Sequence, residues 1–131
     1  MNDSFQISLK NVSKSFEDLD VPVLNNLSFE INASERVAIL GSSGSGKSTL
    51  LHIIAGLDDP SKGNVFFNND LITKLSDNNK SILRNKHIGF VYQSHHLLKD
   101  FSAIENVMMP LIIRRNDSLK DFNQAKKILK K

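Results

Sequence analysis

Gly41-Ser42-Ser43-Gly44-Ser45-Gly46-Lys47-Ser48 reads G-x-x-x-x-G-K-S. It stands between two apolar runs: Val37 to Leu40, which reads as a buried strand, and Leu50 to Leu57, which reads as a helix. A strand running into a glycine-rich turn that opens a helix is the context in which this motif cradles phosphate. At ordinary residue frequencies a chance match in a chain of this length is roughly a half-percent event. The stretch predicts an α/β fold organised around a nucleoside triphosphate site.

The residue types account for that chemistry. Glycine tolerates positive φ, so Gly41, Gly44 and Gly46 let the backbone N–H groups of Ser42, Ser43 and Ser45 turn inward at a helix N-terminus, where the peptide dipoles also favour an anion. Lys47 adds a compact ammonium for the β and γ phosphates. The Ser48 hydroxyl suits the magnesium ion that bridges them, and Thr49 offers one more donor. A merely flexible Gly/Ser turn would not call for lysine followed by a hydroxyl at this spacing.

The length of 131 residues indicates one domain with a modest core. No segment approaches the roughly 20 apolar residues that span a bilayer, and Met1 to Lys10 lacks the blocks of a secretory signal, so a soluble, cytosolic chain without direct membrane insertion is expected. The absence of cysteine excludes disulfides and thiolate metal sites. A net charge of +3 is a small excess. Its visible cluster, Lys120, Lys126, Lys127, Lys130 and Lys131, interleaves with Leu119, Phe122, Ala125, Ile128 and Leu129 at helical spacing, which fits the solvated face of an amphipathic helix better than a nucleic-acid patch. No nucleic-acid partner is expected.

Ile7, Leu9 and Val12 alternate loosely with polar residues and Leu27, Phe29 and Ile31 strictly, which predicts half-buried strands of an antiparallel layer. The helix after the phosphate loop should end near Gly56, with Pro60 and Gly63 shaping the next turn. Val65 to Phe67 reads as a short strand closed by Asn68, Asn69 and Asp70. Ile82 and Leu83 suggest one or two helical turns, and Ile88 to Tyr92 a further strand. Ser102 and Glu105 form an S-x-x-E capping box, so a helix should start at about Ala103 and run until Pro110 interrupts or redirects it. A last helix runs from about Ser118. His95 and His96 do not read as a metal site, because neighbouring side chains of an extended segment point apart and no further ligand completes a set. His52 and His87 read as packing or surface residues.

Five blocks in order resemble the ATPase subunit of an ATP-binding cassette (ABC) transporter: Val12 to Phe16, Val23 to Phe29, the phosphate loop with Ser48-Thr49-Leu50-Leu51, Gly56-Leu57-Asp58 with Pro60 and Gly63, and Gly89 to Gln93. Tyr92 to Leu98, followed by Phe101 to Pro110, is similar to the lipoprotein-releasing (Lol) branch; macrolide-export and cell-division cassettes share much of the pattern. The resemblance implies a P-loop NTPase fold of the ABC type, ATP and magnesium as ligands, and a subunit peripheral on the cytoplasmic face of the bacterial inner membrane. It implies that Phe16 stacks on adenine where the family usually has tyrosine, and that Gln93 reaches magnesium and the attacking water. It also implies that the region from Gln93 to Pro110, with Met108 and Met109, meets transmembrane subunits, and that a second ATPase copy completes the site. Asn69 stands where the family commonly has glycine, and asparagine tolerates the left-handed region.

The same resemblance covers only the N-terminal portion of the family's domain. The 131 residues hold no L-S-G-G-Q, no apolar strand ending in Asp-Glu and no switch histidine. Losing one preorganised transition-state contact commonly costs about 10²- to 10³-fold in rate, so the expectation is a chain that binds ATP–Mg without hydrolysing it alone. Core strands without their neighbours predict a marginal, aggregation-prone product. Two other readings are a non-catalytic ATP-binding or regulatory module and a small P-loop kinase. The kinase would need an arginine-rich lid, and Arg114 and Arg115 are the only adjacent arginines.

Overall fold

The structure, a computed structural model, describes residues 6–18, 20–94, 96–114 and 118–130. They divide into two compact units, Met1–Arg84 and Asn85–Lys131.

The first unit is built on a four-stranded antiparallel sheet of order β2-β1-β3-β4, with β1 at Ile7–Lys14, β2 at Leu24–Ile31, β3 at Lys62–Phe67 and β4 at Asp70–Leu71. The predicted antiparallel layer is therefore present. Register explains why its sequence alternates. Leu9 lies opposite Phe29 on one side and Val65 on the other, whereas Ser8 lies opposite Glu30 and Phe66, so apolar residues collect on one face and mostly polar ones on the other. The loose pattern of β1 has a physical cause at Asn11. It adopts a left-handed φ of 53°, and the register shifts around it on both edges. Ser28 Oγ accepts from the Asn11 amide at 2.8 Å and fixes the bulge. Opposite it, Gly63 has a φ of 87°, and a Cβ there would lie 2.3 Å from the Asn11 carbonyl oxygen. Only glycine fits.

Helix α1, Lys47–Ile54, follows the glycine-rich turn and ends at Ala55, with Gly56 in the left-handed region, as the sequence predicts. Leu9, Val12, Leu24, Val65 and Phe67 from the sheet, Leu50, Ile53 and Ile54 from α1, and Ile72 are the larger buried apolar side chains of this unit. Helix α2, Asp77–His87, spans the division between the units and is longer than the one or two turns expected around Ile82 and Leu83. Its buried residue is Lys80, whose Nζ donates to both Asp59 carboxylate oxygens at 2.7 and 2.8 Å. A polar helix with a lysine facing inward carries little apolar periodicity, which is why its length was not readable.

The second unit contains α3, Ala103–Ile113, and α4, Ser118–Leu129. The capping box is present. Glu105 N–H donates to Ser102 Oγ at 3.4 Å, and Ser102 N–H donates to Glu105 Oε2 at 2.7 Å. These hydrogen bonds, first the one from the Ser102 hydroxyl and then the one from its backbone amide, hold the Glu105 carboxyl below the usual carboxylate range. α3 packs against α4, whose buried positions are Asp121 and Ala125, one turn apart.

Four expectations are corrected. Arg36 to Leu40 and Ile88 to Tyr92 have no regular secondary structure, because neither run has a ladder partner among the described residues. Leu40 is 90% exposed and Val91 fully exposed. Pro110 neither ends nor interrupts its helix, which continues through Ile113; the Pro110 oxygen, one of the last four carbonyls of α3, accepts from Asn85 Nδ2 at 3.0 Å. At the β3–β4 turn the left-handed residue is Asn68, with φ 54°, not Asn69. Asn68 is fastened there by mutual hydrogen bonds with Gln6, 2.7 and 2.9 Å long. His95, Arg115, Lys131 and the side chain of Leu119 lie outside the described residues.

Candidate functional site

Helix α1 begins on Gly46, which has φ 86° and ψ 6°, carries no side-chain cap and is followed by no acidic residue in the first turn. The first intrahelical bond runs from Leu50 N–H to the Gly46 oxygen at 2.8 Å, so the amides of Lys47, Ser48 and Thr49 precede any helical acceptor. With the dipole behind them they form an anion site. The three glycines are required for different reasons. Gly44 and Gly46 have positive φ; Gly41 does not, but a Cβ on it would lie 2.5 Å from Ser45 Oγ. At Gly46 a Cβ would also meet Val23 Cγ1 and the Val23 carbonyl oxygen, each at 2.9 Å, so the loop is seated directly against the start of β2.

Lys47 lies back across its own loop. Its Nζ donates to the Gly41 oxygen at 2.9 Å, to the Ser42 oxygen, and to Ser45 Oγ at 3.3 Å. The ammonium is thus held against the oxygens of its own loop. Ser42, Ser43 and Ser48 are exposed and Thr49 is half-buried. These groups fit a polyphosphate: open first-turn amides, one cation and an exposed hydroxyl, with no carboxylate in the first turn of α1.

Phe16 belongs to the same unit. It follows the end of β1, where Val23 N–H donates to the Lys14 oxygen at 2.8 Å, and Val23 in turn abuts Gly46. Phe16 is 43% exposed, and Lys14 Nζ lies 5.1 Å from its ring centroid. Lys14 was not singled out by the sequence reading. Its Nζ donates to Asp58 Oδ1 at 2.7 Å and to the Asp59 carbonyl oxygen at 2.8 Å, in the loop that follows α1. The signal available was the placement of Lys14 two residues before Phe16, with Asp58 in a second matched block.

Gln93 belongs to the second unit, exposed on a bend that follows Tyr92. Tyr92 stacks on Phe90 with centroids 5.3 Å apart and meets the His96 ring edge-on at 5.0 Å. The left-handed φ of 47° at His96 turns the chain there. Among the described residues no group of three or more His, Cys, Asp or Glu could hold a metal. The Ser48 hydroxyl and the Gln93 amide, the two groups expected to meet magnesium, are each described in their own unit.

A glycine-capped helix with Lys-Ser in its first turn, beside an antiparallel layer, defines a P-loop NTPase fold. Residues 24–131 match the family model "ABC transporter". The chain is 45% identical over 116 residues to the lipoprotein-releasing system ATP-binding protein LolD of Psychrobacter arcticus, a match covering 87% of this chain and 51% of that protein. It is 47% identical to the LolD of Coxiella burnetii, covering 87% and 50%. Among solved structures it is similar to the dimeric ATP-binding cassette MJ0796 in a post-hydrolysis state bound to ADP and Pi, with TM-score 0.85, 37% identity, and coverage of 95% of this chain and 56% of that one. A bacterial Atm1-family ABC exporter with ATP bound is similar at TM-score 0.69 and 28% identity, over 83% of this chain and 18% of the exporter. The chain belongs to the ABC transporter family and spans about half the length of the curated relatives it matches.

Proposed function

We propose that this chain is the nucleotide-binding portion of an ABC transporter ATPase subunit of the lipoprotein-releasing type, and that it binds Mg–ATP. The observation that carries the reading is the start of α1 on left-handed Gly46, with open first-turn amides and the Lys47 ammonium poised over the loop. The loop from Gly41 to Gly46 would hold the phosphates, with the Ser45 amide leaving the Ser42 oxygen to join in; Thr49 would donate from the first turn, and Phe16 would stack on adenine. Lys47 would exchange neutral carbonyl acceptors for phosphate oxygens, which are fully anionic and make stronger charge-assisted bonds. Ser48 and Gln93 would supply oxygen ligands to magnesium, which when bound offsets charge on the phosphates.

For these residues the reading is binding without turnover on their own, because the motifs that supply the base and the signature in this family do not occur among them. Lipoprotein release is the function named for both LolD relatives, and it comes to this chain by that likeness. The dimeric state of MJ0796 supports pairing with a second ATPase copy. Contact with transmembrane subunits is supported by the second unit's surface: α3 reads Ala-Ile-Glu-Asn-Val-Met-Met-Pro-Leu-Ile-Ile yet buries none of its residues, and Leu97 and Phe101 are exposed before it. No described helix is long and apolar enough to cross a membrane; the peripheral place on the cytoplasmic face of the inner membrane comes to this chain by its likeness to the LolD proteins.

Isothermal calorimetry with Mg–ATP tests the site. Removing a charge-assisted contact costs about 1.5–3 kcal/mol, so Lys47→Ala should weaken binding roughly 10- to 100-fold. Unchanged affinity in that variant would refute the assignment.

A further inference from the structure

We infer that Lys14 is a positioning residue for base recognition: its fixed ammonium closes one face of the Phe16 ring and presents the other face to the nucleobase. The inference rests on the proposed nucleotide site and extends it to a residue outside the phosphate loop.

Lys14 has only 13% of its side chain exposed, and its Nζ is fixed by two acceptors from one loop, the Asp58 carboxylate at 2.7 Å and the Asp59 carbonyl at 2.8 Å. Asp58 is itself oriented, because the same Oδ1 accepts from the Asp59 amide at 2.8 Å. The third neighbour of the ammonium is the Phe16 ring, 5.1 Å away. A lysine with its charge neutralised and its geometry set has no need of an aromatic partner for stability. The contact instead dictates where the ring lies.

The backbone on either side of the ring is anchored to the same loop. Ser61 N–H donates to the Ser13 oxygen at 2.8 Å, Ser15 N–H donates to Ser61 Oγ at 3.1 Å, and Ser61 Oγ donates to the Ser15 oxygen at 3.3 Å. This loop continues from α1, the helix that carries the phosphate cradle at its other end. Base platform and phosphate cradle are therefore joined through one helix, with Lys14 as the side-chain link.

The electronic effect has the same direction. A cation over an aromatic face draws π density toward itself, and the opposite face becomes a better partner for the electron-rich surface of a purine. Phe16 is 43% exposed, so it keeps surface that a base could cover. Lys14 should thus act on the base and leave phosphate binding alone.

The test compares two probes, Mg–ATP and inorganic tripolyphosphate with magnesium, by calorimetry on the same protein. Stacking on an aromatic is worth about 1–3 kcal/mol per base, so Phe16→Ala should lower ATP affinity at least fivefold and leave tripolyphosphate unchanged. A cation–π contact at a partly exposed site corresponds to about a two- to fivefold effect. Lys14→Met should lose ATP affinity by that factor, keep tripolyphosphate affinity within twofold, and have no further effect in the Phe16→Ala background. Lys14→Arg should restore the ATP value. If Lys14→Met does not fold, Asp58→Ala removes the side-chain acceptor that fixes the ammonium and reads the same ratio. Equal losses for both probes, or an unchanged ATP affinity, would overturn the role of Lys14 while leaving the phosphate site standing. A wild-type protein that binds neither probe would overturn the phosphate site and this inference with it.

Discussion

Replacing Gly46 by alanine should injure the protein far more than the same change at Gly44, and the difference measures how firmly the phosphate loop is seated. Both glycines have a positive φ, 86° and 78°, so both variants carry the cost of an L side chain in the left-handed region, about 1–2 kcal/mol. At Gly44 nothing lies within 4 Å of the added methyl. At Gly46 it would lie 2.9 Å from Val23 Cγ1 and the Val23 oxygen and 3.0 Å from Leu24 Cδ2. That backbone cannot step aside freely, because Val23 N–H is bonded to Lys14 and Leu24 is buried at the start of β2. Overpacking of this kind adds about 1–3 kcal/mol, for a total near 3 kcal/mol. At about 4 °C per kcal/mol for a chain of this size, Gly46→Ala should lower Tm by about 12 °C and Gly44→Ala by about 5 °C. Thermal unfolding followed by circular dichroism, without nucleotide, reads both. Equal shifts in the two variants would show that contact with Val23 does not hold the loop and that backbone conformation alone matters there.

Two further outcomes follow from side-chain pairs. The carboxyl of Glu105 is held below its ordinary value of 4.5 by Ser102, so the folded state binds its proton more weakly than the unfolded one. Its contribution is fully present above about 4.5 and is lost as pH falls through the lower folded value; amide protection relative to the intrinsic exchange rate should drop at Glu105 and Asn106 over that range, and Glu105→Gln should abolish the dependence. Asp59→Asn should cost more than Lys80→Met, because the first leaves a buried ammonium without its partner while the second removes the charge. With Asp59 more than half exposed, about 2 kcal/mol against less than 1 kcal/mol is expected in urea unfolding, and the reverse order would contradict a buried Lys80.

The elements that could be read from sequence are those whose residue types admit one local solution. A Lys-Ser pair after three spaced glycines, a Ser-x-x-Glu box before an apolar run, and Leu27-Phe29-Ile31 alternating against polar neighbours each specify geometry within a few residues. The runs around Val37 and Val91 failed as strands because apolar composition signals a preference for burial, while a strand also requires a neighbour to bond. Pro110 misled in the opposite direction: its missing N–H removes one hydrogen bond, yet α3 continues past it to Ile113, and its end is held by Asn85, 25 residues away in sequence. Lys14 was invisible for the same reason. Its partners Asp58 and Asp59 lie more than 40 positions downstream. In the candidate site, the phosphate loop is local and was legible, whereas what holds Phe16 is long-range and was not.

The facing pair Asn11 and Gly63 has an evolutionary corollary. Each is tolerable only while the other keeps its unusual backbone, so a mutation at one should persist in a lineage only when the bulge is rebuilt opposite it. The two positions should drift as a unit, and a combinatorial library that varies either one alone will recover mostly misfolded clones.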